Sequence, residues 1–162
     1  MSAITNQPLN LNFLSPVGFS FIIKKLPHVN FFVQSVALPG ISIGSVSVPT
    51  PFKQYPLPSS TSVSYSDLIV TFKVDEDMMN YKEIFNWIIS MSPPDDFSQY
   101  KEPTLSDATL IINNSAKAPN IIIAIEDLFP VALSPIGMET TDTQLTYIEG
   151  TVSFKFRNYY FT

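Results

Sequence analysis

The stretch YSDLIVTFKVDEDMMNYKEIFNWIISM, from Tyr65 to Met91, changes its hydrophobic period once, and that change limits what the chain can become. Leu68, Val70, Phe72 and Val74 alternate with Ile69, Thr71 and Lys73, so a pleated strand here has one apolar face and one mixed face. After Val74 the apolar residues Met78, Tyr81, Ile84, Phe85 and Ile88 recur at three- and four-residue steps. This spacing predicts a helix that turns them inward and leaves Asn80, Lys82, Glu83 and Asn86 outward. Asp75 suits the N-cap, since its carboxylate can accept from first-turn N–H groups, and Glu76 and Asp77 fall where the helix dipole favours negative charge. Pro93 and Pro94 end the helix because neither donates to the preceding turn. One flanking helix, about Asp75 to Met91, is therefore expected, and the rest of the chain reads as strand.

Val17, Phe19, Phe21 and Ile23 alternate as a first strand. A second is expected from about Val29 to Leu38, apolar on both faces through Phe31 and Val33 on one side and Phe32, Val36 and Leu38 on the other. Pro39-Gly40 signals a turn, with Gly40 able to take positive φ, before a third strand from Ile41 to Val48. Ala108, Leu110 and Ile112, then Ile121, Ile123 and Ile125, read as a hairpin turned at Asn113-Asn114-Ser115. Glu126 to Pro130 closes that hairpin, Val131 to Met138 suits an edge, and a final strand runs from about Gln144 to Tyr160 with a bulge at Gly150.

Between Pro49 and Ser60 lies PTPFKQYPLPSS, whose prolines exclude a helix or a central strand. It is either a stiff exposed connection or the tip of a long hairpin from about Ile41 to Val74. In the second case Phe52, Tyr55 and Leu57 are preorganised apolar anchors for a neighbouring subunit. Residues 1–15 read as an extended arm, residues 16–162 as one β domain with a protruding tip at 49–60, and residues 92–106 as a Pro-rich charged loop.

A chain of 162 residues suits one domain with a substantial core. Its charged fraction is only 14%, against about 25% in an average soluble domain, so either a Ser/Thr/Asn-rich skin or contact with other subunits must cover the surface. No apolar run is long enough for a membrane helix, and no stable membrane insertion is expected. The net charge of -5, with a single arginine at Arg157 and scattered lysines, argues against tight binding of nucleic acid phosphates. It does not argue against a channel through which DNA slides. Cysteine is absent, which removes disulfides, thiolate nucleophiles and Cys-ligated zinc. The N-terminus lacks the basic and apolar regions of a signal peptide, so a product of the cytoplasm is expected.

No constellation for catalysis, a cofactor or a metal emerges. His28 is the lone histidine and has no partner for a nucleophile dyad or a metal site. Asp75-Glu76-Asp77 lacks the alternating ligands of a calcium loop and reads as helix capping. Asp95-Asp96 reads as a solvated face, and Trp87 as a core residue or subunit anchor.

FIIKKLPHVNFFVQSVALPGI (Phe21 to Ile41), YSDLIVTFKVDEDMMNYKEIFNWI (Tyr65 to Ile88), EDLFPVALS (Glu126 to Ser134) and the closing TVSFKFRNYYF together resemble the tail tube proteins of contractile-tailed, T4-like bacteriophages. The resemblance implies a β-sandwich or partly open barrel with one flanking helix, whose strands join those of neighbours into an intersubunit β-barrel. It further implies hexameric rings stacked into a hollow conduit for DNA, in a virion tail assembled in the host cytoplasm. The implied partners are other copies of the chain, a tail sheath protein, and baseplate tube-initiator and tail-terminator proteins. An initiator or terminator of the same fold is the alternative role. A different class, a small-ligand or carbohydrate-binding sandwich, is motivated by Tyr55, Tyr100 and Tyr159, and predicts a stable monomer with a concave pocket.

Overall fold

The computed structural model describes residues 11–92, 104–140 and 147–162. In chain order the elements are β1 (Phe19–Ile23), α1 (Pro27–Phe32), β2 (Val33–Ala37), β3 (Ile41–Pro49), β4 (Gln54–Tyr65), β5 (Leu68–Lys73), α2 (Met79–Met91), β6 (Ser106–Asn113), β7 (Pro119–Leu133), β8 (Glu149–Lys155) and β9 (Asn158–Phe161). The fold is mainly β, with antiparallel pairing throughout. A seven-stranded sheet follows the path β1-β6-β7-β8-β5-β2 with β9 added to β7, and β3-β4 form a separate two-stranded sheet.

The β6–β7 hairpin is the spine. Its turn is held by Asn114, whose Oδ1 accepts from the N–H groups of Ala116 and Ala118 at 2.9 and 3.0 Å. The register then sets Leu110 opposite Ile123 and Ala108 opposite Ile125, all four buried. β7 does not stop at Glu126-Asp127-Leu128-Phe129-Pro130 as expected from the sequence. Asp127 takes a positive φ of 55°, the strand bends, and it continues to Leu133. Its first half pairs with β6 and β9, and its second half pairs with β8. The Val131 segment extends β7 and, among the described residues, has β8 as its one partner, the single-sided pairing expected of an edge.

That bend folds the sheet over a single core. Phe21 and Ile23 of β1, Leu68, Val70 and Phe72 of β5, and Val152 and Phe154 of β8 converge there, closed from outside by Leu26, Val29, Ile84 and Trp87. At about 25 cal/mol per Å² of apolar area, burial of each large side chain contributes roughly 1.5–3 kcal/mol.

Two expected strands differ. The stretch from Val29 to Leu38 is not one two-faced strand, because Pro27 opens the short helix α1, which buries Val29 and leaves Phe31 83% exposed. Asn30 helps fix this turn, accepting from Ile23 N–H at 2.8 Å and donating to Ile23 O at 3.0 Å. The outward-facing backbone groups of β1 at Ile23 are thereby occupied by a side chain. The final strand divides into β8 and β9 at Phe156-Arg157, and residues 144–146 lie outside the described residues. Gly150 is not a bulge, for β5 and β8 pair in unbroken register from Leu68↔Phe154 to Lys73↔Glu149.

The helix is present over Met79–Met91, later than Asp75, because Met78 sits in the left-handed region at φ 54°. Asp75 still caps it from a distance, its carboxylate accepting from the N–H groups of Met79 and Asn80, both at 3.1 Å. The buried stripe is Asn80, Ile84 and Trp87, so Asn80 turns inward and Phe85 is 51% exposed, the reverse of the expected assignment. Asn80 is tolerated inside because Nδ2 donates to Lys73 O at 2.7 Å and Oδ1 accepts from Tyr81 N–H at 2.8 Å. Trp87 is a core residue whose indole donates to Thr104 O at 2.7 Å. Pro93, Pro94, Asp95 and Asp96 lie outside the described residues.

Candidate assembly surface

The hairpin of β3 and β4 is the feature a solitary molecule has least reason to keep. Every residue of β3 is exposed, and Ile41, Ile43, Val46, Val48, Tyr55, Leu57 and Val63 are all at least 40% accessible. A two-stranded ribbon alone in water is marginal at best. It ends at Tyr65 instead of running to Val74, since the chain breaks at Ser66-Asp67 and β5 joins the main sheet. Pro56 and Pro58 fall inside β4, which a strand with only one partner permits.

The base of the hairpin is fixed. Gly40 N–H donates to Ser66 Oγ at 2.7 Å, and Ser66 N–H donates back to Gly40 O at 3.0 Å. Gly40 needs no positive φ to make this corner. Tyr65 donates to Asn158 Oδ1 at 2.8 Å, and its ring packs on Phe156 and Tyr159 at centroid distances of 5.4 and 5.5 Å. Tyr159 also donates to Pro39 O at 3.3 Å. An aromatic cluster of Phe156, just after β8, and Tyr159 on β9 thus aims the ribbon.

The tip is a tight turn in which Thr50 N–H donates to Lys53 O at 3.2 Å and Lys53 N–H donates to Thr50 Oγ1 at 3.2 Å. Phe52 is at its corner and 99% exposed. Below it Tyr55 stands opposite Val48 and Leu57 opposite Val46, which gathers four apolar side chains on one face. Phe52, Tyr55 and Leu57, singled out from the sequence, are therefore neighbours on one arm and all accessible. Of the other two tyrosines suggested for ligand binding, Tyr159 is half-buried at the base and does not join them, and Tyr100 lies outside the described residues.

A second surface was not legible in the sequence. Outward from the core, β5 and β8 present Ile69, Thr71, Thr151 and Ser153, with Thr71 and Thr151 hydroxyls 3.5 Å apart. Hydroxyl side chains occupy the middle of this face, with Ile69 exposed at one end and Lys73 opposite Glu149 at the other. Its signal was present in the mixed parity of β5, but the partner parity of β8 needed the register.

Charge is sparse and local. Lys24 Nζ donates to Asp107 Oδ2 at 2.7 Å, which raises the lysine pKa and holds the Asp107 carboxyl below its ordinary range. Lys25 Nζ lies 4.7 Å from the Trp87 ring centroid, and burial lowers its pKa. Tyr160 donates to Glu126 Oε1 at 3.0 Å, which raises the phenol. His28 is bonded to Glu83 between α1 and α2. Among the described residues no group of His, Asp and Glu is disposed to hold a metal ion, and no helix is long and apolar enough to cross a membrane.

Comparison with known proteins bears on the family and the fold. The family described as phage tail tube protein matches residues 6–162. The chain is similar to one in the cryo-EM structure of the anti-feeding prophage cap, a tube-terminating cap, with TM-score 0.69 and 11% identity over 99% of this chain and 98% of that one. It is also similar to one in the sheath/tube terminator of an extracellular contractile injection system in the extended state, with TM-score 0.67 and 15% identity over 94% and 99% of the two chains. For the sheath-tube complex of such a system the values are 0.62 and 14% over 92% and 90%. At these identities the likeness is one of fold. No curated protein matches the sequence.

Proposed function

The chain belongs to the phage tail tube protein family, a structural and non-enzymatic component of a viral tail, and from that premise we propose that it is the repeating subunit of the inner tube of a contractile tail. Six copies close a ring, and rings stack into a hollow conduit through which DNA passes without tight binding. The observation that carries this reading is the exposed apolar ribbon β3–β4, which is clamped at its base and left uncovered by the other described residues.

Ring closure joins open strand edges of neighbouring copies into one barrel, and burying those edges and the ribbon makes the tube rigid. The centre of the outer face of β5 and β8 suits a lumen wall, since Thr71, Thr151 and Ser153 offer a phosphate backbone little attraction and Lys73 on the same face stands opposite Glu149. Residues 16–162 act as one unit, and the 1–15 arm supplies a second contact between copies. Sheath, tube-initiator and tail-terminator proteins are the further partners.

Negative-stain electron microscopy of the purified protein over a concentration series, with mass determination of the soluble fraction, tests the reading. Hollow tubes or stacked six-fold rings support it. Single capped rings that never stack point to a terminator or initiator. A monomer that a baseplate template cannot recruit overturns it.

A further inference from the structure

The ribbon β3–β4 joins the main sheet through two short stretches, residues 38–40 and 66–67, and among the described residues neither of its strands pairs with a third. The hydrogen bonds between Gly40 and Ser66 flank the Ile41↔Tyr65 pair, so they extend the ribbon's own ladder and leave its angle to the sheet unset. The contacts that cross from ribbon to sheet go to the chain around β9. Asn158 accepts from the Tyr65 hydroxyl and the Tyr159 hydroxyl donates to Pro39 O, so both sides of the ribbon's neck are held. Tyr159 and Phe156, whose rings meet that of Tyr65, are themselves packed against the core. β9 is a light element: four residues long, it pairs with β7 alone among the described residues, from Ile123↔Phe161 to Glu126↔Asn158. Its ends are pinned by Arg157 N–H to Glu126 O at 3.0 Å and by Thr162 N–H to Ile122 O at 2.8 Å.

We propose that β9 is a strap that sets the angle of the ribbon, with Asn158 and Tyr159 as its positioning residues and the two connecting stretches as the hinge. A short edge strand held on one side opens at lower free energy than the strands of the core. The seating of β9 on β7 and the orientation of the ribbon are therefore one coupled equilibrium, in which loosening either loosens the other by the same factor. With β9 seated, the ribbon stands at one angle; with β9 lifted, it swings about residues 38–40 and 66–67 while its own ladder stays paired. The inference concerns a single chain and holds whether or not that chain forms tubes.

Distances within one chain test it. Because the chain has no cysteine, spin labels on Lys53→Cys at the tip and Asn86→Cys on the exposed side of α2 report the ribbon's angle as a distance distribution. Dilution with unlabelled wild type restricts the reading to single chains. With the strap intact the distribution should be one narrow peak. Asn158→Ala with Tyr159→Leu removes the strap's grip and should broaden the peak about twofold, and Tyr65→Ser, which leaves β9 itself unaltered, should do the same. Circular dichroism checks that each variant is folded. The coupling is read in the other direction by hydrogen exchange: in Tyr65→Ser the amides of β9 should exchange about tenfold faster while those of β6 are unchanged. Equal widths with and without the substitutions, a distribution already broad with the strap intact, or unchanged exchange of β9 in Tyr65→Ser overturns the strap and leaves the tube reading as it stands.

Discussion

A β-carbon placed on Gly150 would lie 2.8 Å from Cζ of Phe72. The two residues face each other across β5 and β8, and the Phe72 ring, fully buried, occupies the space that a side chain at Gly150 would need. Glycine is there for closeness of approach and not for φ, which is not positive.

Gly150→Ala should therefore destabilise the folded chain by about 1–3 kcal/mol, the usual cost of overpacking a closed site. Denaturant unfolding of the wild type and variant reads this directly. Adding Phe72→Leu should recover part of the loss, and a Gly150→Ala protein as stable as wild type would show that the ring moves freely.

Asn80 is buried without exposure and bridges β5 to α2 through Lys73 O and the Asp75 and Tyr81 N–H groups. Asn80→Leu keeps the bulk but leaves Lys73 O and Asp75 N–H without those partners, at about 1–3 kcal/mol for each group left unsatisfied. Thermal unfolding should show the loss, and hydrogen exchange should show it first in the opening turn of α2.

Replacing Phe52 and Tyr55 together by Ser removes two exposed aromatic side chains and no core contact. Folded stability should change by no more than about 0.5 kcal/mol, whereas association should weaken by about 2 kcal/mol or more if these are centres of the contact. Analytical ultracentrifugation and microscopy of the same sample separate the two effects, and undiminished polymerisation would remove the residues from the interface.

Asp107 titrates below the ordinary carboxylate range because it accepts from Lys24 and lies beside its charge. A depressed folded pKa gives stability that is present above the unfolded value and lost as pH falls through the folded one. Lys24, raised by the same contact, contributes below the ordinary lysine pKa and loses that contribution as pH rises through its folded value. Both side chains are well exposed, at 74% and 49%, so the effect is small and shrinks with salt. Carboxyl-carbon NMR should show the Asp107 midpoint move upward in Lys24→Ala, and an unmoved midpoint would mean that the pair does not form in solution.

Short-range pattern carried much of the fold. The alternation in Phe19 to Ile23, Leu68 to Lys73 and Ala108 to Ile125, and the change to helical steps after Val74, were enough to place β1, β5, the β6–β7 hairpin and α2, because side-chain periodicity is local. The same locality made Phe52, Tyr55 and Leu57 readable as exposed residues, since proline excludes them from a central strand.

Only the tertiary structure decided which apolar residues are covered. Phe31 and Phe85 fit buried stripes in sequence yet face solvent, while Asn80 is buried because Lys73 O and the Asp75–Tyr81 backbone meet it there. Pro27 with Asn30 converted an apolar run into α1, and a single bend at Asp127 carried β7 from one half of the sheet to the other. Gly150 acquired its meaning from Phe72, far from it in sequence. The sequence determined where strands and helix could form; register and the filling of the core by distant side chains determined which faces remained open, because burial is a property of pairs that the order of residues alone does not bring together.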